Sequence, residues 1–179
     1  MQIPSYPTDI LERARKIQLL ICDVDGVLTD GRLFFTPDGQ ELKSFHARDG
    51  HGIKLLQRIG VQTAVISGRK SPAVALRMSS LGVKHVYQGC EDKLAPFHEL
   101  LELLQLTPEA VAFIGDDILD LPILRRVGLP VSVADGHFTI RETARLITQN
   151  PGGTGAVREV CDLVLTAKDA LAAVIQSYY

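Results

Sequence analysis

Short apolar runs alternate with helical segments along most of the chain. Ile17–Asp23 (IQLLICD), Val61–Ile66 (VQTAVI), Val111–Ile114 (VAFI) and Leu129–Val133 (LPVSV) are short stretches rich in aliphatic residues, and Lys84–Tyr87 (KHVY) is a more polar one with Val86 and Tyr87. Runs of this length bounded by turn residues predict strands buried on both faces, as in parallel sheets. Helical segments lie between them. One is N-capped by Asp49 and stops at Gly60; the next starts at Ser71-Pro72 and stops at Gly82. Another covers Glu91–Leu104, with Leu94, Phe97, Leu101 and Leu104 at helical spacing, and another runs over Asp117–Val127 to Gly128. This βαβα order predicts an α/β fold, a doubly wound and mostly parallel sheet with helices on both faces.

The stretch 32–46 (RLFFTPDGQELKSFH) breaks the pattern. It has two extended halves around Thr36-Pro37-Asp38-Gly39, a turn signature, and reads as an inserted β-hairpin. With no linker, repeat or low-complexity stretch, residues 1–179 are expected to form a single domain.

Composition narrows the function classes. Hydrophobic residues make up 46% of the chain, aromatics only 6%, and Trp is absent, so the core is expected to be aliphatic. A net charge of −2, from 19 Lys+Arg against 21 Asp+Glu, leaves no electrostatic footprint for nucleic acid. Cys22, Cys90 and Cys161 lack metal-ligand spacing and an even count, so reduced thiols are expected. The N-terminal residues do not read as a signal peptide, and no apolar run approaches the roughly 20 residues of a membrane helix. A cytoplasmic protein is the expectation.

Ligands of doubly wound sheets bind beyond the carboxyl ends of the strands. The first predicted strand ends in Asp23-Val24-Asp25-Gly26, the second in Ser67-Gly68-Arg69, and Lys93 follows the third. The strand at 111–114 runs into Gly115-Asp116-Asp117, with Asp120 a turn later. Carboxylates brought together this way repel unless a cation or protons neutralise them. Mg²⁺, a hard cation that prefers carboxylates and phosphate oxygens, is the natural partner. A carboxylate nucleophile, an acid/base and cations around a transferring oxygen are also what phosphoryl transfer requires.

Asp23-Val24-Asp25-Gly26-Val27-Leu28-Thr29-Asp30-Gly31, then Ser67, Lys93 and Gly115-Asp116-Asp117-Ile118-Leu119-Asp120, resemble the four ordered motifs of the haloacid dehalogenase superfamily. The resemblance implies a Rossmann-like sheet and a phosphatase. By it, Asp23 attacks phosphorus and Asp25 serves as acid, then base. Ser67 and Lys93 hold the phosphoryl group. Mg²⁺ is bound by Asp23, the Asp25 main-chain carbonyl and Asp116. Asp117 and Asp120 orient the metal's waters or Lys93. The intervals between motifs are too short for a cap domain, so a neighbouring subunit is expected to complete the pocket. The consecutive Leu33, Phe34 and Phe35 of the hairpin suit self-association.

Further segments, FHARDGHGIK at 45–54, ISGRKS at 66–71, LGVKHVYQG at 81–89, GDDILDLPIL at 115–124 and PGGTGAVREVCDL at 151–163, are similar to the capless subfamily that hydrolyses a phosphorylated eight-carbon sugar acid, 3-deoxy-D-manno-octulosonate 8-phosphate (KDO 8-phosphate), on the way to lipopolysaccharide. That likeness implies a homotetramer whose hairpins form a central barrel. Substrate contacts beyond Asp25 and Lys93 are then expected from His46, Ala47, Arg48, Asp49, Gly50, Lys54, Arg69 and Arg77, shared across a subunit boundary. The family more often carries Arg where Lys54 stands, and Lys lacks the bidentate fork for a carboxylate. The likeness also implies a flexible C-terminal segment from about 149 to 179 that folds over the site, with Arg158 as a contact. Two alternatives keep the fold: a phosphatase of a nine-carbon sugar acid 9-phosphate, and a non-catalytic oligomerisation module.

Overall fold

A computed structural model describes residues 6–179. Its elements in chain order are α1 (Thr8–Lys16), β1 (Leu19–Cys22), β2 (Phe34–Phe35), β3 (Glu41–Leu42), α2 (Ala47–Arg58), β4 (Gln62–Ser67), α3 (Pro72–Leu81), β5 (His85–Gln88), α4 (Leu94–Leu104), β6 (Val111–Gly115), α5 (Leu121–Leu124), β7 (Leu129–Ser132), α6 (Phe138–Thr143), β8 (Leu146–Ile147), α7 (Ala156–Ala167) and α8 (Leu171–Gln176). Single turns of 3-10 helix sit at Pro108–Ala110 and Ile118–Asp120.

The large sheet has the order β5-β4-β1-β6-β7-β8 and every pairing in it is parallel. Its strand residues alternate between two apolar layers, as the two-residue side-chain period requires. Leu20, Cys22, Val65, Ala112 and Ile114 join the layer made with α1, α2, α3 and α7. Leu19, Ile21, Ala64, Ile66, Val111 and Phe113 join the layer made with α4, α5 and α6. Burial on both faces explains why the strands read as unbroken apolar runs. The order reverses at β1, with β4 on one side and β6 on the other, and this places the crevice at the ends of these three strands.

Several expected boundaries differ for local reasons. Asp49 is not the N-cap of α2, which begins at Ala47; His46 holds that position and Asp49 is buried within the first turn. The helix expected over 117–127 is broken. Asp120 turns its carboxylate back onto the amides of Asp116 and Asp117, which winds 118–120 into a 3-10 turn. Pro122, which has no N–H to give, is tolerated in the first turn of the restarted α5. The C-terminal segment is not carried as a tail. Val157, Val160, Cys161, Leu163, Val164 and Leu165 of α7 are fully buried against α1 and α2. Each large aliphatic hidden this way contributes about 1.5–3 kcal/mol, so α7 is a core helix.

The hairpin is present and small. Phe34 pairs with Leu42 and Phe35 with Glu41, and Gly39 closes the turn at φ +84°. Leu33, Phe34, Phe35 and Leu42 are 47–60% exposed.

Candidate active site

The functional side chains gather where β1, β4 and β6 end. Beyond β1 the chain winds into a tight turn in which the Val24 carbonyl accepts from the amides of Val27, Leu28 and Thr29. Gly26, at φ +87°, lies directly against the Asp116 carboxylate, and a Cβ there would overlap it. The turn requires glycine both for its backbone angle and for this close approach.

Lys93 is the hub. Its ammonium is 2.9 Å from Asp23 Oδ1 and 2.6 Å from Asp120 Oδ1, and its side chain is 3% exposed. Asp120 Oδ2 accepts from the Asp116 amide at 3.0 Å and from the Asp117 amide at 3.4 Å, so both of its oxygens are engaged. Asp117 spends its carboxylate locally, accepting from the Ile118 amide at 2.7 Å. Ser67 is buried at the end of β4, with its Oγ facing the Arg69 amide. Asp23, Asp25, Ser67, Arg69, Lys93 and Asp116 line one crevice of about 270 Å³.

The electrostatics call for a cation. Burial, and then Asp23, Asp120 and Asp117, push the Asp116 carboxyl up to about 8. Burial and Asp120 raise Asp23 to about 6 against the pull of Lys93. Burial opposes the charge on Lys93, yet Asp23 and Asp120 more than offset it and its pKa is raised. Ligand atoms of Asp23, Asp116 and Asp120 lie within 4.8 Å of one another. Both Asp120 oxygens are already engaged by Lys93 and by backbone amides, which leaves Asp23 and Asp116 as the carboxylates better placed to hold an ion. Asp116 Oδ1 is buried with no hydrogen-bond partner among the described residues, and a buried carboxylate oxygen left this way is strongly disfavoured unless a cation supplies the missing contact. The residues fit a divalent cation with oxygen ligands.

The expected sugar-binding residues divide. Arg69 lies in the crevice, its Nε 3.7 Å from Asp25 Oδ2 and its Nη2 2.6 Å from Glu41 Oε1. His46, Ala47, Arg48, Asp49, Gly50, Lys54 and Arg77 do not line the crevice of their own chain. Arg48 and Arg158 instead border a separate groove of about 440 Å³ with Tyr6, Glu159 and Asp162. Lys54 is exposed on α2, and the Arg77 guanidinium lies against Gly50. Asp49 is 1% exposed and its Oδ1 accepts from the Arg158 amide at 2.8 Å, capping the N-terminus of α7 from another helix. Burial raises its pKa.

Sequence reasoning missed Lys43 and Glu41. Lys43 pairs with Asp25 Oδ1, and Glu41 lies 3.5 Å from the same ammonium. The signal was the two-residue spacing of Glu41 and Lys43 in an extended segment, which puts both on one side, opposite Leu42.

A sequence profile for haloacid dehalogenase-like hydrolases matches residues 50–128. The 3-deoxy-D-manno-octulosonate 8-phosphate phosphatase KdsC of Yersinia pestis is 50% identical over 163 residues, which is 91% of this chain and 87% of that protein. A probable YrbI family phosphatase from Pseudomonas syringae pv. phaseolica superposes with a TM-score of 0.94 at 50% identity, over 96% of this chain and 98% of that one. The 3-deoxy-D-manno-octulosonate 8-phosphate phosphatase of Moraxella catarrhalis, solved with magnesium, phosphate and KDO, superposes with a TM-score of 0.95 at 38% identity, over 97% of this chain and all of that one.

Proposed function

The chain belongs to the 3-deoxy-D-manno-octulosonate 8-phosphate phosphatase family of haloacid dehalogenase-like hydrolases, and from that premise we propose that it is a Mg²⁺-dependent phosphatase. It converts KDO 8-phosphate into KDO and phosphate through an aspartyl-phosphate on Asp23, as a cytoplasmic step of lipopolysaccharide synthesis. The observation that carries this reading is the buried Lys93 bridging Asp23 and Asp120 beside the unpartnered Asp116 oxygen.

In the first step an Asp23 oxygen attacks phosphorus. The new O–P bond forms as the bond to the sugar oxygen breaks, and that oxygen takes the departing electron pair and a proton from Asp25. In the second, the Asp25 carboxylate takes a proton from water as the water oxygen attacks phosphorus. The Asp23–phosphorus bond then breaks, phosphate leaves and the Asp23 carboxylate is restored. The Ser67 hydroxyl donates to a phosphoryl oxygen, and Lys93 offsets negative charge on Asp23 and on the phosphoryl group. Asp23, Asp116 and the Asp25 main-chain carbonyl would hold Mg²⁺, which would supply charge neutralisation for phosphoryl transfer.

The sugar end needs a second cationic subsite for the substrate carboxylate. Arg69 is at hand. His46, Ala47, Arg48, Lys54 and Arg77 lie away from their own crevice, which supports a reading in which a neighbouring copy presents them, whereas the buried Asp49 and Gly50 are held within their own chain. The exposed apolar hairpin supports the same assembly, a homotetramer with the hairpins buried at its centre.

The test is phosphate release from KDO 8-phosphate and from a nine-carbon sugar acid 9-phosphate, with Mg²⁺ and with chelator, alongside a solution mass. The expected result is Mg²⁺-dependent release with the higher kcat/KM on the eight-carbon compound, abolished in Asp23→Asn, from a tetramer. A preference for the nine-carbon compound overturns the substrate. No release from folded, Mg²⁺-loaded protein overturns the enzyme in favour of an oligomerisation module.

A further inference from the structure

Asp25 is gripped from the hairpin. Lys43 follows β3 directly, yet its side chain is only 2% exposed while the apolar residues of the same hairpin face solvent. Its ammonium pairs with Asp25 Oδ1 and lies 3.5 Å from Glu41 Oε1. Arg69, after β4, reaches the other Asp25 oxygen at 3.7 Å and Glu41 at 2.6 Å. Two cations and two carboxylates thus close a ring through the turn after β1, the hairpin and the loop after β4. Burying an ammonium costs several kcal/mol unless it is closely paired. A hairpin this small gains nothing for its own folding from a lysine turned inward, so the ring serves Asp25.

Its effect is visible in the carboxylates. Asp25 is two residues from Asp23, yet its carboxylate stays outside the group formed by Asp23, Asp116 and Asp120. A side chain that must exchange protons with a leaving oxygen and a water has to be kept off the cation site, because a carboxylate bound to a metal is a poor acid/base.

We infer that Lys43 is a positioning residue for Asp25: it draws the carboxyl toward the hairpin and holds it aimed at the leaving oxygen. The hairpin therefore has a part in the chemistry besides any part in assembly. This inference rests on the phosphatase reading above.

The experiment uses the Mg²⁺-loaded enzyme and two substrates that differ in their need for an acid. The sugar oxygen of KDO 8-phosphate leaves with a proton; the nitrophenolate of p-nitrophenyl phosphate leaves without one. In Lys43→Met, kcat on KDO 8-phosphate is expected to fall roughly tenfold to a hundredfold, the scale of a misplaced catalytic group. The KM is expected to move by less than about threefold. The first-turnover burst of nitrophenolate is expected to fall by less than about threefold, since its departure does not call on the acid. Lys43→Arg, which keeps the cation, is expected to restore most of the loss. Equal losses in the two first-turnover measurements, or no loss on KDO 8-phosphate, overturn the inference. If Lys43→Met does not fold, as judged by its melting curve, Glu41→Gln loosens the same ring and carries the same comparison with the same outcomes. A wild-type protein inactive on both substrates counts against the phosphatase reading and not against Lys43.

Discussion

Loading the site with Mg²⁺ is expected to expel protons, because burial and neighbouring carboxylates raise the pKa values of Asp116 and Asp23. Asp116 is pushed up to about 8 by burial and by Asp23, Asp120 and Asp117, and Asp23 to about 6 by burial and Asp120 against Lys93. One unit below its pKa a group is roughly nine-tenths protonated, so at pH 7 the metal-free protein carries close to one proton on Asp116 and few on Asp23. Both carboxylates must be ionised to hold the ion, and binding at pH 7 therefore releases about one proton. The affinity should rise about tenfold per pH unit from about 6 to 8 and level off above. The same protons set the stability of the metal-free form. Both side chains ionise near 3.8 when the chain is unfolded, so between about 4 and 8 the folded state binds more protons than the unfolded one. Its stability falls as pH rises through that window, by about 1.4 kcal/mol per pH unit for each proton of difference. Calorimetric titration with Mg²⁺ in two buffers of different ionisation enthalpy counts the protons, and melting of the chelated protein at pH 6 and pH 8 reads the stability. Identical heats in the two buffers, or an affinity flat from pH 6 to 8, would refute the reasoning.

Lys93→Met removes the ammonium that bridges Asp23 and Asp120 and should destabilise the protein by about 3–5 kcal/mol, the cost of breaking a buried pair, and abolish turnover; denaturant titration and phosphate release check both. Gly26→Ala drives a methyl group into the Asp116 carboxylate, so Mg²⁺ affinity measured by calorimetry should collapse, and an unchanged affinity would show that the turn has room to spare. Asp49→Ala strips the acceptor from the α7 N-terminus and should lower stability by about 0.5–2 kcal/mol, with Asn, which keeps an acceptor, recovering most of it; equal melting temperatures for both variants would remove Asp49 from the capping role.

The sheet and the position of Asp23 were legible because they rest on short-range signals. A strand buried on both faces must be apolar throughout, and Asp23 is marked by standing at the end of such a run. Ser67, Lys93 and Asp116 followed from the same rule at β4, after β5 and at β6. What could not be read depended on contacts distant in sequence. Asp49 looked like an ordinary helix cap; its partner is the Arg158 amide, 109 residues away. Lys43 was not singled out in the sequence, and only the folded chain turns it onto Asp25. The helix over 117–127 failed for a reason inside the motif. Asp120 bonds backward to Asp116 and Asp117 and sideways to Lys93, and those bonds decide the local winding against helix propensity.

The glycines at 152 and 153 show how the C-terminal segment supports the turn that carries Asp23. The Gly153 amide donates to the Val27 carbonyl at 2.8 Å, and the Gly152 amide to Asp135 Oδ1 at 2.9 Å. A Cβ on Gly152 would overlap the Gly26 carbonyl, and one on Gly153 would overlap the backbone of Thr29 and Asp30. Glycine is needed because two stretches of main chain meet here with no room for a side chain between them. The stretch being braced is the turn that carries Asp23 and Asp25, and the brace leads directly into α7, whose N-terminus Asp49 fastens to α2. An open crevice has no cap to immobilise its loops. The turn that carries Asp23 and Asp25 is instead braced by the segment leading into α7, by Lys93 at Asp23 and by Lys43 at Asp25.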